Sequence, residues 1–305
     1  MRLSFQVTSG VVYASKPVGD PPVPMDLRLE LYEPTGPGVP SGRPALVAIH
    51  GGSFTGGSRF SSFMLAICEA MARRGWTCVS IDYRLVGDDP VVGPEFTGLE
   101  TLIGLVDPTL AGPIAAATED TVAAMAWLES NAVALDIDPL RMGLAGYSAG
   151  GVLTEMTAYI ADDGGVTLPV PVRATYNISG AVDPSVTVEP GEAPVILSHG
   201  DQDATVPIAG AFALRDAALA AGLPHELIVL AGKGHTNFDI FNDEAAPGET
   251  VFDRFVSFFY VHVVGAPASV PALGEGGRIA LLVLLSAASV AFLFRRPRYR
   301  PRNAR

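Results

Sequence analysis

The stretch RMGLAGYSAGGVL (141–153) decides the fold. Its first half reads as a β-strand, GYS as a sharp turn, and AGGVLTEMTAYIADDG (149–164) as a helix with apolar residues at helical spacing. The turn carries G-x-S-x-G, with Ser148 between Gly146 and Gly150, and Ala149, Gly150 and Gly151 are small enough for the chain to pass close to its neighbours. A serine so placed is lifted above a sheet edge. A glycine-rich strand-to-helix turn with no chemistry satisfies the same pattern, so the surrounding sequence has to decide between the two.

Outward from this point the chain alternates. Continuous apolar runs such as ALVAIH (45–50) and WTCVSIDYRL (76–85) read as strands buried on both faces, and SSFMLAICEAMARRG (61–75) between them as a helix ending at a glycine. Downstream, TEDTVAAMAWLESNAVAL (118–135) is a helix, RATYNISG (173–180) and APVILSHG (193–200) are strands, AGAFALRDAALAAG (209–222) is a helix, HELIVLAG (225–232) a strand, and ETVFDRFVSFFYVHVVG (249–265) a closing helix. MDLRLELYEP (25–34) alternates as a half-buried edge strand does. The expectation is an α/β fold with a mostly parallel sheet covered by helices on both faces. In such folds ligands sit at the carboxyl ends of the strands. His50, Ser148, Asp203 and His235 all follow predicted strands there.

Hydrophobic residues make up 49% of the 305 and charged residues 17%, enough apolar material for a large core. Seven of the 20 basic residues follow position 277, whereas Glu275 alone of the 32 acidic ones lies beyond 274, so the preceding part is strongly acidic. Such a surface repels polyanions, and no nucleic-acid partner is expected. Cys68 and Cys78 fall on a helix and the strand after it; a disulfide is open to them, though two buried thiols are the simpler reading. No His/Cys spacing fits a metal site, and no metal or other cofactor is expected.

The loop HGGSFTGG (50–57) can aim backbone N–H groups into a site. It lacks the Lys-Ser/Thr pair of a phosphate loop and the glycine spacing of a dinucleotide site. Taken in order, IHGGSFTGGS, SIDYRL, GLAGYSAGG, HGDQDATVP and GKGHTNF resemble the α/β-hydrolase superfamily, in its H-G-G esterase/lipase branch, over residues 25–264. The resemblance implies Ser148 as nucleophile, Asp203 as acid and His235 as base, in the chain order the superfamily uses. It implies an oxyanion hole from the backbone N–H groups of Gly52, Ser53 and Ala149, supported by His50, Gly51, Gly146 and Gly150; many relatives have a third glycine where this chain has Ser53. Asp201 competes with Asp203, but the register of the motif favours Asp203. His199 is expected to play a structural part, and His225 and His262 to have no part in the site.

The expected activity is that of a serine carboxylic-ester hydrolase acting on a small-molecule ester. The alternatives are a serine peptidase of the same fold and a hydrolase-like binding module without turnover. The expected organisation is a catalytic domain at 1–264, in which 85–116 reads either as a lid whose Leu, Ile, Phe and Val suit an acyl or aryl group or as a surface insertion packed on its own core, followed by a Pro/Gly/Ala-rich linker at 265–278. Residues 279–294, IALLVLLSAASVAFLF, are uncharged and precede six arginines, which reads as a transmembrane helix with an Arg-rich cytoplasmic tail at 295–305. The catalytic domain is then expected outside the membrane, although MRLSFQVTSGVVYA (1–14) has no apolar h-region and does not read as a signal peptide, and an upstream start is one resolution. VPALG (270–274), the apolar stretch and the basic cluster resemble bacterial C-terminal sorting signals. The sequence leaves the oligomeric state open.

Overall fold

In the computed structural model, residues 2–180 and 188–265 are described. Eight strands form one sheet: β1 (Ser4–Val18), β2 (Val23–Thr35), β3 (Arg43–Ile49), β4 (Thr77–Ile81), β5 (Ile137–Tyr147), β6 (Val172–Ile178), β7 (Val195–Gly200) and β8 (His225–Leu230). They lie in the order β1-β2-β4-β3-β5-β6-β7-β8. The pairs β1/β2 and β2/β4 are antiparallel and the others parallel. The helices are α1 (Ser62–Ala72), α2 (Thr97–Gly104), α3 (Ala111–Ser130), α4 (Ala132–Leu135), α5 (Ala149–Glu155), α6 (Ala209–Ala221) and α7 (Val251–Phe259).

Two apolar layers sandwich this sheet, and the central strands feed both by simple alternation. Ala45, Val47 and Ile49 of β3 enter one layer with α3, α5 and α6, while Leu46 and Ala48 enter the other with α1 and α7. A strand buried on both faces needs an unbroken apolar run, which is why ALVAI carries no polar residue. The second layer is aromatic: Phe252, Phe255, Phe258 and Phe259 of α7 pack there beside Trp76 and Tyr176.

Two expectations change. MDLRLELYEP is β2, an interior strand, and the true edge is β1, which the sequence pattern does not announce. Most of β1 is exposed or half-buried, Tyr13 alone of its residues is buried, and its register against β2 shifts twice. Backbone pairing holds such a strand, so it leaves little periodicity to read. Secondly, Cys68 and Cys78 are joined as a disulfide rather than lying as free thiols. Helix α1 turns straight back into β4, bringing the two Cα atoms to 5.1 Å, within the bridging range. The segment 85–116 is packed down in part, while Val86, Leu105 and Val106 stay exposed. Phe96, Leu99 and Ile103 are buried in the α3 layer, and the guanidinium of Arg84 beneath it, with no exposed surface, bonds Asp120 and Glu119 and donates to the Val91 carbonyl. Lys16 of β1 closes the network on Glu119 at 2.7 Å. Buried charges are tolerated only when paired and fully hydrogen-bonded, as these are.

Among the described residues no helix is long and apolar enough to cross a membrane. The expected span at 279–294, most of its linker and the arginine tail lie outside the described residues.

Candidate functional site

The parallel strands end along one edge, and the site residues gather where β3, β5, β7 and β8 stop. Ser148 directly follows β5 and caps α5 with φ 55° and ψ −117°, a left-handed conformation that costs a non-glycine residue of order 1–3 kcal/mol. The turn is held by the Ser148 N–H donating to the Ile178 carbonyl at 2.8 Å, and by glycines that allow contact no side chain would permit. A Cβ on Gly150 would lie 2.1 Å from the Ile49 carbonyl oxygen, and one on Gly146 2.0 Å from that of Gly150.

His235, in the loop after β8, sets Nε2 2.9 Å from the Ser148 hydroxyl and Nδ1 2.7 Å from Asp203 Oδ2. An ionised carboxylate only accepts, so the neutral ring carries its proton on Nδ1 and presents the Nε2 lone pair to the hydroxyl. Asp203 follows β7; its Oδ1 accepts from the N–H groups of Thr205 and Val206 at 2.9 and 2.8 Å. Burial pushes this carboxyl up, but the Val206 N–H, the His235 ring and the Thr205 N–H outweigh it, and the group is held below its ordinary value. Asp201 is exposed and turned elsewhere, its Oδ1 taking the Gly232 N–H at 2.7 Å. Ser148, His235 and Asp203 are thus brought into one hydrogen-bonded chain, and Asp201 is not part of it.

The glycine loop lies against this chain. Gly52, Ser53 and Phe54 are all left-handed, with φ of 131°, 54° and 59°, so the backbone coils tightly and Thr55 and Gly56 donate back to the Gly52 carbonyl. A Cβ on Gly51 would fall 3.0 Å from that of Ser148, which places the loop in contact with the serine. Buried His50 donates from Nδ1 to the Gly51 carbonyl at 2.7 Å and stacks on Tyr83, whose hydroxyl donates to the His50 carbonyl. Burial lowers the imidazole's pKa from its ordinary value. Ala149 opens α5 immediately after the serine. His199 donates to the Val206 carbonyl at 2.8 Å beneath Asp203, while His225 bonds Leu223 and His262 packs on Phe258, away from the chain of three. Among the described residues no group of three or more His, Cys, Asp or Glu is placed to hold a metal ion.

Two residues of this region are not legible in the motifs. Tyr147, the variable residue before the serine, stacks on the His235 ring and donates its hydroxyl to the His235 carbonyl at 2.7 Å. Glu155, at the end of α5, is buried with Oε2 unpartnered among the described residues. Burial raises its pKa to about 8 against opposing contacts to Thr154 and Asn177, so it stays protonated at neutral pH. An unfolded glutamate ionises at about 4.3, so the native state alone keeps the proton between that pH and about 8. This group's contribution to stability is therefore complete below the unfolded value and is lost as pH rises toward the folded one. Glu155→Gln is expected to reduce the fall in Tm between pH 5 and pH 8; an undiminished fall in thermal melts would show that the carboxyl does not titrate in this way.

Comparison with known proteins agrees with the architecture. A family model described as the α/β-hydrolase fold matches residues 110–233. Carboxylesterase NlhH of Mycobacterium tuberculosis is 36% identical over 93 residues, which cover 30% of this chain and 28% of that protein. Lipase 2 of Moraxella sp. (strain TA144) is 32% identical over 116 residues, 37% of this chain and 21% of that protein. The matched stretch thus spans less than a third of either curated relative. Thermogutta terrifontis esterase 2, in the structure phosphorylated by paraoxon, superposes with a TM-score of 0.62 at 23% identity, covering 86% of this chain and 96% of that one. Its native structure gives 0.63 at 20% identity, over 86% and 94%. The sheet order, the crossovers and these likenesses together give this chain the α/β-hydrolase fold, and a family model of that fold matches residues 110–233.

Proposed function

We propose that the protein is a serine carboxylic-ester hydrolase. The observation that carries this reading is the unbroken chain from the Ser148 hydroxyl through His235 to Asp203, at 2.9 and 2.7 Å, built on a serine held in a strained turn. A serine hydroxyl is a poor nucleophile until an adjacent base takes its proton. Ser148 Oγ attacks the ester carbonyl carbon as His235 Nε2 accepts the proton, and Asp203 stabilises the imidazolium. The N–H groups of Gly52, Ser53 and Ala149 are the proposed donors to the oxyanion. The carbonyl-to-alkoxy bond then breaks, the alcohol leaves with the proton from Nε2, and a water deprotonated by the same base releases the acid. The named activities of the partial relatives, a carboxylesterase and a lipase, support the reading.

Hydrolysis of p-nitrophenyl esters of increasing acyl length tests it, beside the matching p-nitroanilides. Ester turnover is the expected result. Preferential amide cleavage would favour the peptidase, and no turnover by folded protein the binding module. Because Tyr147 fixes the backbone of the base, Tyr147→Phe is expected to lower kcat about 3- to 10-fold, the worth of one hydrogen bond. An unchanged kcat would show that the tyrosine does not position His235.

For location we propose that residues 279–294 anchor the chain in a membrane, with the arginines cytoplasmic and the hydrolase domain on the opposite side. The uncharged run and the basic cluster after it support this. So does the Cys68–Cys78 disulfide, which suits an oxidising compartment. Cell fractionation with protease accessibility tests it: full-length protein in the cytosol would contradict the proposal.

A further inference from the structure

Beside the base lies a cleft of about 260 Å³ lined by Phe63, Tyr147, Thr236 and Phe238. Three aromatic rings from separate parts of the chain meet edge-to-face there. Phe63 of α1 lies 5.5 Å from Tyr147 at 66° and 6.1 Å from Phe238 at 86°, and Tyr147 lies 6.0 Å from Phe238 at 66°. Among the described residues the lining's side-chain polar groups are the Thr236 hydroxyl and the Tyr147 hydroxyl, which the His235 carbonyl already occupies. No charged side chain among the described residues lines the cleft. An apolar cavity of about 150 Å³ holds a benzene ring, so this open cleft has room for one neutral ring and a linking carbon.

Its walls also fix which half of an ester it meets. Tyr147 precedes Ser148 and stacks on the His235 ring at 5.3 Å between centroids, and Thr236 directly follows His235. The proton held on Nε2 is handed to the departing alkoxy oxygen, so the alcohol half lies on the histidine's side of the serine. The glycine loop, with its N–H groups for the carbonyl oxygen, approaches Ser148 from His50 and Gly51.

We propose that Phe63, Tyr147 and Phe238 form the seat for the alcohol half of the substrate, and that they select esters of neutral alcohols carrying an aromatic ring. This assignment rests on the esterase reading above. Ring-to-ring contacts of this kind have energies that translate to roughly tenfold selectivity.

Benzyl acetate and ethyl acetate share an acyl group and release alcohols rather than phenols, so the ratio of their kcat/KM values isolates the seat. Phe63→Leu and Phe238→Leu keep apolar bulk but remove the ring, and thermal melts establish that each variant is folded. Each is expected to lower the benzyl-to-ethyl ratio about tenfold. A ratio unchanged in both variants overturns the proposal. So does a selective loss in an acyl-length series at fixed alcohol, which would make the cleft an acyl site, or a selective loss on acetylcholine, which would make it a cation cage. No turnover of any ester by folded wild-type protein would instead overturn the esterase reading, and this assignment with it.

Discussion

Ser148→Ala is expected to lower kcat on any ester substrate by about 10⁵- to 10⁶-fold, with the protein still folded. His235 Nε2 faces the hydroxyl at 2.9 Å, and alanine leaves the base with nothing to deprotonate at that position. Rate above the uncatalysed reaction would survive through binding and the loop N–H groups alone. Stability should respond differently. Alanine inherits the φ of 55° that strains the serine, whereas glycine adopts it freely. Ser148→Gly is therefore expected to be as inactive as Ser148→Ala but to melt at a higher temperature. Activity retained in either variant, in steady-state assays free of wild-type contamination, would remove Ser148 from the nucleophile's role.

Asp203→Asn is expected to cost about 10⁴-fold in kcat, while Asp201→Asn changes it little. The reason is the tautomer. Asp203 Oδ2 accepts from Nδ1 at 2.7 Å and keeps Nε2 free for the hydroxyl, and an amide presenting its NH₂ group there would demand the opposite proton arrangement. Oδ1 is fixed by two backbone N–H groups, so the asparagine oxygen is expected to stay on that side and the NH₂ to face the ring. Asp201 touches Gly232 and not the histidine. Parallel kinetics on the two variants check this directly, and a large loss in Asp201→Asn with none in Asp203→Asn would reassign the acid.

How much of this is visible before folding differs from element to element. The buried strands are plain in the sequence because both of their faces need apolar residues, as Ala45–Ile49 and Val195–Leu197 show. β1 is not, because backbone pairing rather than apolar periodicity holds it. The segment 85–116 shows its apolar residues but not their direction: Phe96, Leu99 and Ile103 are buried in the α3 layer, and the Arg84–Glu119–Asp120 network nearby joins partners that lie far apart in the chain.

At the site the same division holds. Glycine spacing around Ser148 and the loop positions of Asp203 and His235 are local features that a motif can carry. Tyr147 fills a position where the motif accepts any residue, and its contact with His235 joins residues 88 apart, so no local signal announces it. Phe63 and Phe238 read as ordinary apolar residues of a helix and a loop. Only the folded chain makes them neighbours.

The central claim is that Ser148 is a nucleophile activated by His235. The most direct test is covalent labelling of the folded protein with a fluorophosphonate, read by intact mass and by peptide mapping, in wild type and in Ser148→Ala. The expected result is one adduct per chain on the peptide containing Ser148, absent from Ser148→Ala and strongly slowed in His235→Ala. Labelling at another serine, or none in protein shown to be folded, would contradict the claim.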